Sequence, residues 1–208
     1  MARKAARPGL FITFEGVEGS GKTTQILLLK QFLERSGHSV RLTREPGGDA
    51  VAESVRALVL HADITPRSEL LLFLASRAQN VESVIRPSLA SGECVICDRF
   101  IDSSVAYQGY GRGLGRDVVA ALNDFATCGL VPDLTVLLDL DPAVGLKRAA
   151  DHNRMEAESL DFHLRVREGF LRESENHRER FCVIDARESV DEIHAAIATK
   201  LAQLFEKR

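Results

Sequence analysis

The chain has no apolar run long enough to cross a bilayer, which excludes a membrane-spanning helix and leaves no membrane partner to expect. Neither charge is in large excess: 27 Lys and Arg stand against 30 Asp and Glu, a formal net charge of −3. A broad nucleic-acid-binding face needs a positive surplus, so no nucleic-acid partner is expected, and any bound anion must be met by a few placed cations. No second C-x-x-C accompanies Cys94 and Cys97, and Cys128 and Cys182 stand alone. Cys94 and Cys97 fall in an apolar strand pattern, where an offset of three puts them on opposite faces. Four buried thiols in a reducing cytoplasm are therefore expected, rather than a zinc or redox site. Repeats, linkers and low-complexity segments are also missing, so 208 residues suit one domain over 1–208. The opening "MARKAARPG" is basic, and the apolar stretch after it is too short for a signal-peptide core. A flexible tail over residues 1–9 is expected.

What is present alternates. Strand patterns at Leu10–Glu15, Ser39–Thr43, Cys94–Asp98, Leu134–Leu140 and Phe181–Asp185 are nearly continuous in apolar character, as in strands covered on both faces. Helical patterns lie between them at Lys22–Ser36, Ala50–His61, Ser68–Ser91, Arg116–Cys128, Pro142–Ala149 and Glu158–Arg178, with a last one at Val190–Lys207. The alternation predicts a three-layer α/β/α fold around a five-stranded parallel sheet. Ligands of such sheets bind beyond the carboxyl ends of the strands, and there the informative residues cluster.

After the first strand comes "EGVEGSGKT", in which Gly16 to Thr23 fit G-x-x-x-x-G-K-[ST]. Gly16, Gly19 and Gly21 let the backbone turn its N–H groups toward phosphate, Lys22 can reach the β- and γ-phosphates, and Thr23 can offer its hydroxyl to Mg²⁺. The helix opening at Lys22 adds the positive end of its dipole. The strand–loop–helix context sets this apart from a chance glycine-rich turn and implies nucleoside triphosphate binding, with Gly16 to Thr24 as the binding segment. The variable positions Val17, Glu18, Gly19 and Ser20 hold no arginine, so a guanidinium for a transferring phosphoryl group must come from elsewhere. Asp98 ends an apolar strand where P-loop proteins keep a Mg²⁺-coordinating or water-ordering carboxylate, and Arg99 follows it.

The segments "FEGVEGSGKTT", "TREPGG", "FLASRAQ", "CDRFIDSSVAYQG" and "GLVPDLTVLLDL", with the region around "HNRMEAESLDFHLRVREGF", resemble the thymidylate kinases over nearly the whole chain from Leu10. The phosphate loop without arginine is similar to the bacterial form, whose mobile lid supplies the basic residue. The resemblance implies a P-loop NTPase-like fold with a small lid at about 147–160, phosphorylation of dTMP by ATP–Mg²⁺, and a homodimer. Phe73 would stack on thymine, with Arg77 one helical turn later on a base carbonyl. Ser104 and Gln108 would meet the base edge, and Tyr107 would crowd the 2′ position of the sugar. Glu18 would lie near the 3′-hydroxyl. Arg56 and Arg99 would bind the acceptor phosphate, and Glu45 would order the "REPGG" loop or the arginines.

Lys22, Arg99 and Arg154 are the expected catalytic residues, with Arg148 as the other lid cation and Arg165 and Arg167 as weaker candidates. Asn153 departs from the aspartate usual before the lid arginine. Two other readings compete: another nucleoside monophosphate or deoxynucleoside kinase, and a nucleotide-binding module without transfer chemistry.

Overall fold

The computed structural model describes residues 9–148 and 154–206. Five strands, β1 (Phe11–Glu15), β2 (Val40–Arg44), β3 (Cys94–Asp98), β4 (Leu134–Asp139) and β5 (Phe181–Asp185), form one parallel sheet in the order β2-β3-β1-β4-β5. The three central strands read FITFE, CVICD and LTVLLD and are buried almost throughout, whereas edge strands VRLTR and FCVID are half-open. Burial on both faces explains why polar alternation survives only at the edges.

Helices α1 (Lys22–Arg35), α2 (Ala50–His61), α3 (Pro66–Asn80), α4 (Arg86–Ala90), α5 (Ile101–Ser104), α6 (Arg116–Thr127), α7 (Pro142–Arg148), α8 (Leu160–Asn176) and α9 (Val190–Glu206) flank it. Local chemistry sets several of their starts. The Asp49, Thr65 and Ser159 side chains accept from backbone N–H groups at the openings of α2, α3 and α8, and Pro66 occupies the first turn of α3. The expected helix Ser68–Ser91 is instead α3 and α4 joined by a π-helical turn, Val81–Ile85. Pro87 has no N–H for the carbonyl four residues back, and the wider turn ahead of it takes up the mismatch.

A second π-helical stretch, Val105–Gly111, continues α5. It packs tightly on α8: a Cβ at Gly111 would come 2.7 Å from Phe162, and one at Gly169 would come 2.7 Å from Tyr110. One apolar cluster, including Phe14, Leu29, Leu33, Val136, Phe170 and Ile197, fills the space between the sheet and α1, α8 and α9. Smaller clusters lie around Phe11, Val95 and Phe100 and around Leu70, Leu74, Val105 and Val119.

Two expectations are corrected. Gly9 is not part of a loose tail, because it is buried and its N–H donates to the Leu89 carbonyl at 2.9 Å. The thiols are not all buried: Cys94 and Cys97 are, Cys182 is partly open, and Cys128 is exposed at the left-handed end of α6. Leu70 and Leu74 belong to the core, while Leu71 faces outward. Residues 1–8 of the expected tail, 149–153 of the expected lid (Asn153 among them) and Lys207 of the last helix lie outside the described residues. Among the described residues, no helix is long and apolar enough to cross a membrane.

Candidate active site

The carboxyl ends of β1, β2 and β3 open into one cavity of about 500 Å³. One wall is the loop and first turn after β1, from Glu18 to Thr24. Gly16, Gly19 and Gly21 all have positive φ there, 139°, 68° and 90°. The close contacts are steric as well as conformational: a Cβ at Gly16 would sit 2.5 Å from the Leu138 carbonyl oxygen. Val17, expected in the phosphate site, does not line the cavity but packs in the main core, and Gly16 does not line it either. The Lys22 Nζ instead donates to the Gly16 and Val17 carbonyls at 3.1 Å each. Burial, and then the nearby Arg99 guanidinium, lower the Lys22 pKa to about 8. Ser20 Oγ is buried without a hydrogen-bond partner among the described residues and borders the same space.

Arg99 stands between the two halves of the cavity. Its Nη1 donates to the Gly16 carbonyl at 3.1 Å and to Ser103 Oγ at 3.2 Å, and its Nη2 lies 2.9 Å from Glu18 Oε1. The guanidinium also lies over the Tyr107 ring, 5.1 Å from its centroid. Arg99 has φ of 68°, a left-handed conformation unfavourable for a side chain of this size. Glu15, at the end of β1, holds this turn in place: it accepts from Phe100 N at 2.8 Å and from Ser103 Oγ at 2.5 Å. Burial, and then Asp102, raise the Glu15 pKa to about 7.

Glu18 is held by Arg99 and by the Tyr107 hydroxyl, which reaches its two oxygens at 2.7 and 2.8 Å. Burial works against its charge, but Arg99, Lys22 and Tyr107 together keep its pKa below the ordinary carboxylate value. Asp98 lines the cavity, and its Oδ1 is buried without a hydrogen-bond partner among the described residues.

Across the cavity, Phe73 is half-buried and lines the space, outside all three apolar clusters. Arg77 is only 1% exposed and ties four segments together. Its Nε donates to Glu45 Oε2 at 2.7 Å, Nη1 to Ser104 Oγ at 2.9 Å and to Asn123 Oδ1, and Nη2 to the Phe100 carbonyl at 2.9 Å. Four of its five N–H groups thus have protein acceptors. Glu45 also accepts from Asn80, and burial raises its pKa. Gln108 donates Nε2 to Glu69 Oε1 at 2.8 Å, which leaves its amide oxygen as the acceptor. Arg56 donates to the Pro46 carbonyl at 2.9 Å and lines the cavity, its pKa lowered by burial and then by Arg44.

The expected lid arginines part company. Arg148 lines the cavity beside Gly19, but Arg154 does not line it and is held outside by Glu69 and the Val59 carbonyl. Arg165 donates to the Gly111 carbonyl and Arg167 forms a two-pronged pair with Asp139, so neither is brought to the cavity.

A family model described as thymidylate kinase matches residues 14–197. The thymidylate kinase of Geotalea uraniireducens is 53% identical over 211 aligned residues, covering 95% of this chain and 99% of that one. The chain belongs to the thymidylate kinase family. A second thymidylate kinase, from Geotalea daltonii, is 52% identical, covering 92% of this chain and 95% of its own. The crystal structure of thymidylate kinase from Ehrlichia chaffeensis superposes with a TM-score of 0.79 at 39% identity, covering 94% of this chain and 99% of that one. The P-loop NTPase-like architecture of this family is the one described above.

Several side chains that build this thymidylate kinase cavity were assigned no role from the motifs. Glu15, Ser103, Asn123 and Arg112 act through contacts distant in sequence. Glu69 is fully buried and receives Gln108, Arg112 and Arg154. One signal was available for it, because Glu69, Phe73 and Arg77 repeat every four residues along one helical face.

Proposed function

We propose that this protein transfers the γ-phosphoryl group of ATP to the phosphate of dTMP, giving dTDP for DNA precursor synthesis. Arg99 is the observation that carries the reading, because one guanidinium touches the phosphate loop at the Gly16 carbonyl and Glu18 and also meets Ser103 and the Tyr107 ring beyond that loop. The loop from Gly16 to Thr24 takes the triphosphate, and Lys22 leaves its two carbonyl partners for phosphate oxygens. Arg56 and Arg99 hold the acceptor phosphate. That phosphate is already anionic, so transfer needs positioning and charge neutralisation rather than a strong base.

Base selection follows from the unspent hydrogen-bonding capacity. Phe73 stacks on thymine, the remaining N–H of Arg77 meets its 4-carbonyl, and the Gln108 oxygen accepts from its N3–H. Cytosine presents an amino group and a bare nitrogen at those two places, leaving a buried donor and acceptor unpaired. Ser104 completes the base edge through Arg77, Tyr107 crowds a 2′-hydroxyl, and Glu18 faces the 3′-hydroxyl. Glu45 acts through Arg77, since Arg77 and Asn80 occupy its carboxylate.

The donor set fits a Mg²⁺ ion carried with the nucleotide. Asp98 offers a buried, unpartnered oxygen and Thr23 an exposed hydroxyl at the cavity edge. Among the described residues there is no cluster of three or more carboxylate, thiol or imidazole ligands, so phosphate oxygens would complete the shell. Such an ion neutralises charge on the phosphates during transfer.

We place the enzyme in the cytoplasm as a homodimer. Support for the dimer comes from Val51, Leu58, Leu71, Val118 and Phe125, apolar side chains exposed on α2, α3 and α6. An ATP-coupled assay with dTMP, dUMP, CMP, AMP or no acceptor tests the reading. Turnover should be highest with dTMP and fall by about 10²-fold or more with CMP and AMP. Equal use of CMP or AMP, or ADP release independent of acceptor, would overturn it.

A further inference from the structure

His163 lies in the first turn of α8 and has no solvent exposure, yet among the described residues neither ring nitrogen has a hydrogen-bond partner. Its Nδ1 faces Glu18 Oε2 at 3.8 Å, beyond hydrogen-bond reach. A buried imidazole with both nitrogens idle is unfavourable, and an aliphatic side chain would fill the same space without that cost. The imidazole therefore suits a second arrangement in which Nδ1 is paired.

The surroundings name the partner. The close approaches at Gly111 and Gly169 fix α8 against the stretch that carries Tyr107, so the ring is held where it is. Phe162 packs against it edge-on, with centroids 5.4 Å apart. Glu18 is the side free to adjust, because Oε1 is shared between Arg99 and Tyr107 whereas, among the described residues, Oε2 has Tyr107 alone within bonding distance. When Arg99 turns to the acceptor phosphate, as the proposed function requires, Glu18 loses its nearest cation.

We infer that His163 is a positioning residue for Glu18: as Arg99 leaves for the acceptor phosphate, Nδ1–H of His163 donates to Glu18 Oε2 and fixes the carboxylate toward the acceptor's sugar. No proton changes owner in this exchange. Nδ1 carries its hydrogen throughout, and a shortening of less than 1 Å makes the bond. The inference rests on the assignment of Arg99 to the acceptor phosphate.

The test is steady-state kinetics on the full chain with ATP and dTMP, together with thermal melting. His163→Leu should raise the KM for dTMP about tenfold, leave the KM for ATP within twofold, and melt at the same or a higher temperature. His163→Asn, whose amide nitrogen falls near the Nδ1 position, should stay within about threefold of the parent. In a Glu18→Ala background, His163→Leu should add less than a twofold change. An unchanged dTMP KM in His163→Leu, equal impairment of Leu and Asn variants, or full additivity with Glu18→Ala would overturn the inference. Parallel loss toward both substrates with a lower melting temperature would show a structural role and overturn it as well. If His163→Leu does not fold, His163→Asn is compared with His163→Gln, whose amide reaches the Nε2 position; only Asn should preserve the dTMP KM, and equal behaviour overturns the inference. Failure of the parent enzyme to use dTMP at all would instead overturn the proposed function.

Discussion

Arg154 Nη2 lies 2.7 Å from Glu69 Oε2, and the same guanidinium donates to the Val59 carbonyl at 3.0 and 3.2 Å. The phosphate loop supplies no arginine at Val17, Glu18, Gly19 or Ser20, so a guanidinium for the transferring group must come from outside the loop. We propose that Arg154 exchanges Glu69 for the phosphoryl group in the transition state. Arg154→Ala should then lower the single-turnover transfer rate by on the order of 10² or more while leaving dTMP affinity within about twofold. Arg154→Lys should recover little, because a point charge lacks the planar fork. If the rate survives in Arg154→Ala and collapses in Arg148→Ala, the role belongs to Arg148, which already lines the cavity.

Phe73 and Arg77 lie one turn apart but should respond differently. Arg77→Ala removes four hydrogen bonds and leaves the Glu45 carboxylate buried without its cation. A stability loss of about 3–5 kcal/mol in urea denaturation is expected. Phe73 is half-buried and outside the core clusters, so Phe73→Ala should cost only about 1 kcal/mol of stability while raising the dTMP KM about tenfold or more. The reverse pattern would remove Phe73 from the base site.

Glu15 gives the fold a pH dependence of definite sign. Its pKa is raised from 4.5 to about 7 in the folded chain. Between those values the folded state keeps a proton that the unfolded state has released, so the contribution of Glu15 to stability falls as pH rises through this window. Glu15→Gln removes the titration. From pH 5.5 to pH 8 the variant should gain on the parent by on the order of 1–3 kcal/mol, measured by urea denaturation at both pH values. A parallel pH response in the two proteins would contradict the buried, partly protonated carboxyl.

Lys22 should be seen taking up a proton when ATP binds. In the free protein its pKa is lowered to about 8, and a triphosphate placed on Nζ favours the charged form. Calorimetry at pH 8.5 in two buffers of different ionisation enthalpy should show uptake of up to about three quarters of a proton, lost in Lys22→Met. Equal heats in both buffers for the parent would contradict it.

The sheet was legible because its signals are local. Apolar runs mark the central strands, and the glycine spacing of residues 16–21 marks the turn that β1 must make. Asp98 and Arg99 followed from motif context and Phe73 from the family resemblance, and all three line the cavity. The Val105–Gly111 stretch was not legible as an element, because a π-helix has no sequence period of its own and here depends on packing against α8. The role of Arg77 as a junction was hidden for a different reason. Its acceptors sit on Glu45, Phe100, Ser104 and Asn123, which only the tertiary fold brings together. The pairing of Arg154 with Glu69 was equally out of reach, since Arg154 was expected over the phosphates as the lid cation and only the tertiary fold brings it to Glu69 on α3.

The most direct test of the phosphoryl-transfer site is simultaneous measurement of ADP and dTDP from ATP and dTMP, for the parent and for Arg99→Ala. The parent should form the two products one for one, with little ADP when dTMP is omitted. Arg99→Ala should lose dTDP formation by on the order of 10²-fold or more while keeping ATP affinity within about threefold, because the guanidinium joins the phosphate loop at Gly16 and Glu18 to Ser103 and the Tyr107 ring. ADP formation indifferent to dTMP, or full dTDP formation by Arg99→Ala, would contradict it.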